Sequence, residues 1–133
     1  MEGLVFPKLS YKITGLCLQI YKEIGRFCRE KQYADKFEEL LIKEGLKYKR
    51  EYNLSKILKE VVVEGNIVDF IIKGLDGIII VDFKAKKFVT KEDYFQMQRY
   101  LKSAKAKLGL VVNFRNSFLK PKRVINPDYD KLK

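Results

Sequence analysis

Two aspartates and one lysine lie in two apolar segments that are typical of neighbouring β-strands. The stretch NIVDFIIKGLDGIIIVDFKAKK contains two β-branched runs around a Gly-Leu-Asp-Gly turn, and each run carries one aspartate, Asp69 or Asp82. An even-length turn at this place pairs Asp69 directly with Asp82. Lys84 follows Asp82 by two positions and therefore points to the same face of the sheet. The spacing predicts two carboxylates and one ammonium group at a single place.

Two carboxylates in such positions repel each other unless a cation lies near both. Directly opposed residues in a sheet have Cβ atoms roughly 4.5 to 5.5 Å apart. Two charges at about 5 Å repel by on the order of 3 kcal/mol at an effective dielectric constant of about 20. A divalent cation reverses the sign of this energy, and two carboxylates with a backbone carbonyl suit Mg²⁺ or Mn²⁺ that keeps several waters. The alternative is that Lys84 and other lysines neutralise the two acids without a metal.

The composition limits both the chemistry and the partners. The chain has 133 residues, no histidine and a formal net charge of +11. The lack of histidine excludes Ser-His and Cys-His nucleophile pairs and imidazole metal ligands. Cys17 and Cys28 are too few and too widely spaced for a disulfide framework or a zinc site, and we expect a core role in a reducing compartment. The positive charge favours a polyanionic partner, with nucleic acid as the leading class.

The apolar segments are short. None approaches the roughly 18 residues of a membrane span, and the N-terminal sequence MEGLVFPKLSYK lacks the order of a signal peptide. We therefore expect a cytoplasmic protein with no membrane association.

Helical periodicity predicts three helices around these strands. The first is marked by apolar residues from Ile13 to Ile24, with Ser10 as a possible N-cap. The second follows an interruption at Gly25 and Arg26 and stops at Gly45. The third begins at Thr90, where Asp93 completes a capping-box pattern. Their predicted buried residues include Tyr33, Phe37, Leu40, Leu41, Tyr94, Met97, Leu101 and Ala104.

The order of the elements predicts an α/β domain. The segments KYKREYNL, KEVVVEGNIVDFIIKG and GIIIVDFKA are expected to form a three-stranded meander, KLGLVVNF a further buried strand and KRVI an edge strand. Helix, helix, three strands, helix and strand indicate a central mixed β-sheet flanked by helices, in which the strand after the crossover helix lies parallel to a partner. We predict one domain over residues 1–126 and a polar C-terminal tail over residues 127–133.

The two strands carry motifs that resemble those of the PD-(D/E)XK nuclease superfamily. Asp69 matches the first motif acid, and Asp82-Phe83-Lys84 matches the (D/E)xK step. In the third helix, QMQRYLK places Gln96 and Tyr100 as the QxxxY motif of the exonuclease-like branch. The resemblance covers roughly residues 8–125.

A closer resemblance is to a family of short proteins named for a GxxExxY motif. Glu30 and Tyr33 in GRFCREKQY match the helix signature of that family. Phe27 stands where the named glycine is expected, with Gly25 two positions earlier, so the turn before the second helix departs from the family pattern.

The resemblance implies a restriction-endonuclease-like core, in the order α-α-β-β-β-α-β, and a metal-dependent phosphodiester cleavage site. Asp69 and Asp82 are then metal ligands together with the backbone carbonyl of Phe83, and Lys84 is catalytic. Glu30 is a further ligand of the metal or of its water, although an acid in the first turn of a helix also simply complements the helix dipole. Gln96 and Tyr100, at i and i+4 of one helix, either support the lysine, the metal-bound water or a phosphate oxygen, or are ordinary flanking residues.

The resulting hypothesis is a nuclease that uses Mg²⁺ or Mn²⁺ and acts on DNA. Lysines position the phosphate backbone without reading sequence, with Lys86, Lys87, Lys102 and Lys105 as the candidates. A domain of this size is expected to act as a homodimer or in a larger complex when it encloses duplex DNA. One alternative is a catalytically inactive nucleic-acid-binding or regulatory module of the same fold. Another is a basic scaffold subunit that binds an acidic protein.

Overall fold

The computed structural model describes residues 7–54, 66–75 and 77–128. Within these ranges the chain forms three helices, α1 (Pro7–Ile24), α2 (Glu30–Lys43) and α3 (Lys91–Ala104), and five strands, β1 (Lys47–Asn53), β2 (Ile67–Gly74), β3 (Gly77–Lys84), β4 (Leu108–Asn113) and β5 (Lys122–Ile125). The predicted α/β class and the predicted order of elements are confirmed.

The five strands form one mixed sheet in the order β1-β2-β3-β4-β5. β1, β2 and β3 form the predicted antiparallel meander, and β5 lies antiparallel to β4 at the far edge. β3 and β4 are parallel because α3 crosses over the sheet between them, as expected for a strand–helix–strand connection. The architecture is consistent with a restriction-endonuclease-like core.

The β2–β3 hairpin has the predicted register over its paired residues, but the predicted direct pair of Asp69 with Asp82 is not part of the ladder. Its ladder runs from Gly74 opposite Gly77 to Phe70 opposite Val81. Beyond that pair β3 continues alongside β4 as far as Lys84. Asp69 is the first residue of β2 past the end of this ladder, so its side chain lies where β2 and β3 stop pairing.

Apolar side chains on the two faces of the sheet build two clusters. α1 and α2 cover one face, where the Phe37 ring meets those of Phe70 and Phe83 edge to face, and these two rings are tilted against each other. α3 covers the other face and packs Met97 and Leu101 against residues such as Ile80 and Val111. A side chain at Gly109 would collide with Met97, so glycine there lets α3 lie close to β4.

The helix ends follow local chemistry, with one correction. Ser10 does not cap α1: it lies inside the helix, is buried, and donates its hydroxyl to the Pro7 carbonyl at 3.2 Å. Pro7 is the first described residue of α1, and proline is compatible with the first turn of a helix because its fixed φ is already helical. The predicted capping box of α3 is confirmed, with Thr90 N–H donating to Asp93 Oδ2 at 2.8 Å.

Some predictions concern residues that the structure does not describe. The first part of the segment KEVVVEGN, residues 59–65, lies outside the described ranges. Of the predicted tail, Pro127 and Asp128 are described and exposed, and residues 129–133 are not described. No helix in the described ranges is long and apolar enough to cross a membrane.

Candidate active site

The predicted site residues meet where the end of β3 faces the first half of α3. Asp82 and Lys84 alternate with Phe83, whose ring packs under α2, and therefore point to the opposite face, the one that α3 covers. Gln96 and Tyr100 project from α3 onto this end of β3, as the contacts below show. The site is thus placed by strand alternation on one side and by helical spacing on the other.

Asp69 is tied to the backbone of β3. Its Oδ2 accepts a hydrogen bond from Phe83 N–H at 2.7 Å. This bond forms just past the last paired residues of the hairpin, so a side-chain oxygen takes the place of a main-chain acceptor. Buried backbone N–H groups almost always find a partner, and here the partner is the carboxylate itself. The bond holds Asp69 beside Asp82.

Asp69 is a buried acid whose negative charge is poorly compensated by its surroundings. Burial raises the pKa of Asp69 to about 7, and the charge of Asp82 acts in the same direction. The bond from Phe83 N–H opposes this shift only in part. Within the described ranges Asp69 forms no ion pair with a lysine or an arginine. Asp69 is therefore the group that a further cation would stabilise.

Lys84 is held by three oxygens. Its Nζ lies 3.1 Å from Asp82 Oδ2, 3.1 Å from Gln96 Oε1 and 3.9 Å from Asp93 Oδ1. Burial alone lowers the pKa of Lys84, but the charge of Asp82 and its hydrogen bond outweigh burial, and the net pKa is raised. Lys84 is therefore a charged ammonium group with a fixed position.

Asp93 joins this network, a role that its sequence context did not predict. It was expected only as the capping residue of α3, yet its Oδ2 also binds Lys86 Nζ at 2.5 Å while its Oδ1 faces Lys84. Burial raises the pKa of Asp93, but the bonds from Lys86 and Thr90 outweigh that effect and lower it. The sequence did offer a signal for this role: a carboxylate has two oxygens and a helix cap uses only one, so the second oxygen of Asp93 can bind another group.

Glu30 and Tyr100 both lie within electrostatic reach of the acid pair. Glu30 is an exposed residue at the start of α2. Partial desolvation raises the pKa of Glu30, the charge of Lys84 opposes this rise, and the charge of Asp82 adds to it. Tyr100 is buried, and desolvation followed by the charge of Asp82 raises the pKa of Tyr100. The structure thus brings all six predicted catalytic residues, Asp69, Asp82, Lys84, Glu30, Gln96 and Tyr100, to one region.

The pairing of β1 with β2 is interrupted at Glu51, beside Asp69. Glu51 has φ of +50° and interrupts the pairing between Arg50 opposite Phe70 and Tyr52 opposite Val68. A non-glycine residue in this left-handed region costs on the order of 1 to 3 kcal/mol, and such strain clusters at functional sites. Glu51, Glu30 and Asp69 line a cavity of about 190 Å³. No sequence pattern pointed to Glu51.

The donor set suits a hard divalent cation that keeps most of its waters. Among the described residues no three Asp, Glu, Cys or His side chains are gathered closely enough to hold a metal ion by themselves. Mg²⁺ typically binds through one or two carboxylates and fills its other positions with water and phosphate oxygens, which fits Asp69 and Asp82. The raised pKa of Asp69 marks the place where such a charge is favourable. The backbone carbonyl of Phe83 stays a predicted ligand.

The predicted phosphate-binding lysines fall into two groups. Lys86 and Lys87 follow β3, where Lys86 is paired with Asp93 and Lys87 is exposed, with its Nζ 5.7 Å from the centroid of the Phe88 ring. Lys102 and Lys105 lie in the last turn and at the C-cap of α3. Lys105 is therefore roughly 18 Å along the helix from Asp93. The structure places the first group at the site and the second group at the other end of α3.

Comparison with known proteins places the chain in a family. A search of curated proteins finds no match. The family model of the PD-(D/E)XK nuclease superfamily matches residues 7–124, which include both motif strands and all three described helices. Nucleases of this superfamily generally use divalent metal ions and act on nucleic acid. The finer resemblance to the GxxExxY family stays a prediction. Because the match covers most of its length, the chain belongs to the PD-(D/E)XK nuclease superfamily.

Proposed function

We propose that the chain is a metal-dependent nuclease that hydrolyses phosphodiester bonds in DNA, with a site built from Asp69, Asp82 and Lys84. The observation that carries the proposal is the state of Asp69. It is a largely buried acid, held next to a second acid and without an ion-pair partner among the described residues. A purely structural pair of acids would be expected to have a cation for each carboxylate.

Asp69, Asp82 and the carbonyl of Phe83 are the proposed ligands of Mg²⁺ or Mn²⁺, and Glu30 is a further ligand of the metal or of its water. When bound, the metal supplies a water of lowered pKa and positive charge for a phosphate oxygen. Glu30 lies at the start of α2, within electrostatic reach of Lys84 and Asp82, which is compatible with this role.

Lys84 is the proposed catalytic cation. Its ammonium group can orient the attacking water or stabilise negative charge that develops on the phosphate. Asp82 and Gln96 fix its position, and Asp93 keeps Lys86 near it. Gln96 therefore acts through Lys84 and is a positioning residue, and Tyr100 is proposed to support the same end of the site. No covalent intermediate is required.

The substrate class follows from charge. The formal net charge of +11 gives a field that attracts phosphate polyanions, and Lys86 and Lys87 lie directly after the catalytic strand. Lys102 and Lys105 extend the same charge along α3 as proposed further phosphate contacts. We propose that a homodimer or a larger complex encloses the duplex.

An inactive nucleic-acid-binding module is the second candidate. Lys84 pairs with Asp82 and Lys86 pairs with Asp93, and protonation of Asp69 would remove its negative charge without any metal. Such a site stays folded without metal, and fold alone does not fix activity.

A cleavage assay separates these functions. Labelled DNA is incubated with the parent chain in Mg²⁺, in Mn²⁺ and in EDTA, alongside Asp82→Asn and Lys84→Met. We expect cleavage only by the parent and only with metal.

The matched control is Glu44→Gln. Glu44 is an exposed acid that pairs with Lys12 at the C-terminal end of α2, the opposite end of that helix from Glu30, and this variant should cleave like the parent. Metal-independent DNA binding without any cleavage would support the inactive module. Binding to acidic proteins without DNA affinity would support the scaffold.

A further inference from the structure

Three exposed phenylalanines and three cations surround a cavity next to the end of β3. The cavity has a volume of about 650 Å³. We name its main lining residues the aromatic–cationic cradle: Arg26, Phe27, Lys87, Phe88, Arg115 and Phe118. The three phenylalanines are 73%, 70% and 78% exposed in chain order. Single exposed apolar side chains are common, but several around one cavity indicate a binding surface.

Cations lie against two of the three rings of the cradle. The Arg26 and Arg115 guanidinium carbons lie 5.0 Å and 5.1 Å from the centroid of the Phe27 ring. Lys87 Nζ lies 5.7 Å from the centroid of the Phe88 ring. Each distance is within the range of a cation–π contact. A planar apolar group can therefore lie on a ring while an adjacent cation meets a negative charge.

The loop that carries Phe27 is held from two sides. Tyr33 donates its hydroxyl to the Gly25 carbonyl at 2.6 Å and accepts the Cys28 N–H at 3.2 Å. Arg26 Nε donates to the Arg115 carbonyl at 2.9 Å. The turn between α1 and α2 is thus fastened both to α2 and to the loop after β4.

Asn113 fastens the other two loops. It is buried at the end of β4; its Oδ1 accepts Lys86 N–H at 3.1 Å and its Nδ2 donates to the Lys86 carbonyl at 2.8 Å. The same Nδ2 donates to Asn116 Oδ1 at 3.2 Å. One amide therefore joins the β3–α3 loop, which carries Phe88, to the β4–β5 loop, which carries Phe118. A surface fixed in advance loses little conformational entropy when it binds.

We propose that the cradle binds single-stranded nucleic acid, with bases stacked on Phe27, Phe88 and Phe118 and phosphates bound by the neighbouring cations. Duplex DNA hides the faces of its bases, whereas every unpaired base offers one. The arginines and the lysine beside the rings complement the negative charge of phosphates. An apolar protein partner would need no such cations.

The position of the cradle connects it with the proposed nuclease site, and the inference rests on that proposed function. Lys87 and Phe88 follow Lys84 in the chain by three and four residues. Phe114 N–H donates to the Lys84 carbonyl at 3.0 Å, so the loop after β4 also begins at the catalytic strand. A strand bound in the cradle lies beside the acid pair. The proposed substrate is therefore an unpaired end, flap or loop.

Binding measurements in EDTA test the cradle without any cleavage. Fluorescence anisotropy of a labelled oligothymidylate and of a duplex of equal length is measured for the full-length parent and for the triple variant Phe27→Ala/Phe88→Ala/Phe118→Ala, which keeps the net charge. Base stacking on an aromatic side chain changes affinity by roughly tenfold or more per base. We expect the triple variant to lose at least about tenfold in affinity for the single strand and little for the duplex.

Two further variants serve as controls. Tyr11→Ala removes an aromatic ring that is 61% exposed on α1, roughly 20 Å along the helix from Ile24, and should bind like the parent. The triple phenylalanine-to-leucine variant keeps apolar surface without aromatic faces, so it should resemble the alanine variant and guards against misfolding of the latter. Circular dichroism melts compare the folding of all variants.

Several outcomes overturn the inference. One is that both triple variants bind oligothymidylate like the parent, and another is that the parent binds duplex more tightly than single strand. A third is that polyglutamate displaces oligothymidylate as well as an unlabelled oligonucleotide does, which would indicate binding through charge alone. Oligouridylate in place of oligothymidylate tells whether the cradle prefers RNA or DNA. If the parent binds single strands through the cradle but never cleaves them, the proposed nuclease activity is refuted and the cradle is supported. If the parent cleaves and the triple variants bind single strands equally well, the nuclease is supported and the cradle is refuted.

Discussion

Asp69 Oδ2 accepts the main-chain N–H of Phe83 at 2.7 Å, and this bond fixes an acidic side chain to the strand that carries Asp82 and Lys84. The two carboxylates cannot move apart without breaking a hydrogen bond to a buried backbone group, which costs about 1 to 3 kcal/mol. Burial and the charge of the neighbouring Asp82 raise the pKa of Asp69, and the bond from Phe83 N–H offsets only part of that rise. The same bond keeps Asp69 beside Asp82, the arrangement that the proposed metal site requires.

The first prediction concerns the stability of the metal-free protein as a function of pH. The pKa of Asp69 is about 7 in the folded chain and about 3.9 when unfolded. Between these values the folded state binds a proton that the unfolded state releases, so stability falls as pH rises, by up to about 1.4 kcal/mol per pH unit. Asp69→Asn keeps an oxygen for Phe83 N–H but cannot ionise. In EDTA it should melt above the parent at pH 8, and the gap should shrink towards pH 5.

Thermal melts at both pH values check this, with Asp35→Asn as the control for removal of an exposed acid. If the gap between Asp69→Asn and the parent is the same at pH 5 and pH 8, Asp69 is not the titrating group.

Much of the hairpin could be predicted because local rules determine it. Glycines at the turn and β-branched residues in both arms specify two strands, and the even turn length fixes which residues face each other. The observed pair Phe70 opposite Val81 is the predicted one. The capping box at Thr90 is likewise local, since its two partners are three residues apart.

The rest of the site depends on contacts between different elements, which local sequence rules do not specify. Nothing near Asp93 in the chain indicates that Lys86 and Lys84 approach it from another element. Asn113 resembles an ordinary strand end, and its role in joining two loops requires the parallel β3–β4 pairing. Glu51 has a left-handed φ, and no glycine stands at that position to indicate it.

A second prediction concerns the positioning of Lys84. Gln96→Ala removes the oxygen that lies 3.1 Å from Lys84 Nζ, while the ion pair with Asp82 remains. Cleavage should fall by roughly 10- to 100-fold, the usual effect of removing such a supporting contact. The Kd for DNA should stay the same, because Gln96 contacts the lysine and contributes no charge. Gln96→Glu restores an oxygen acceptor and should recover part of the rate.

Tyr100→Phe is the companion variant, and it too should lower turnover more than binding. Single-turnover cleavage and anisotropy on the same preparations decide both cases. Equal reductions in binding and turnover would show that these residues hold the fold instead of the lysine.

A third prediction uses salt dependence to separate the two groups of lysines. The slope of log K against log salt becomes less steep by about 0.7 to 0.9 for each phosphate that a variant no longer neutralises. Lys87→Ala removes an exposed cation shortly after β3 and should reduce the slope by the amount for one phosphate. Lys102→Ala, with the same change in charge at the far end of α3, tests whether bound DNA extends that far. If the slope does not change in Lys87→Ala, the β3–α3 loop does not contact phosphate.

The last prediction tests metal binding directly. A ligand that binds only the folded state stabilises it by about 2.7 kcal/mol when its concentration is about 100 times its Kd. For a chain of this size that corresponds to a rise in Tm of several degrees. Mn²⁺ or Mg²⁺ should therefore raise the Tm of the parent, with a larger rise at pH 8 than at pH 6 because protons compete for Asp69, whose pKa is about 7.

Asp69→Asn and Asp82→Asn should each lose most of the rise. Glu30→Gln should lose only part, since Glu30 is an exposed residue at the edge of the site. Glu44→Gln should respond like the parent. An equal rise in Tm in the parent and in both aspartate variants would place the metal elsewhere and leave Asp82 as the structural partner of Lys84.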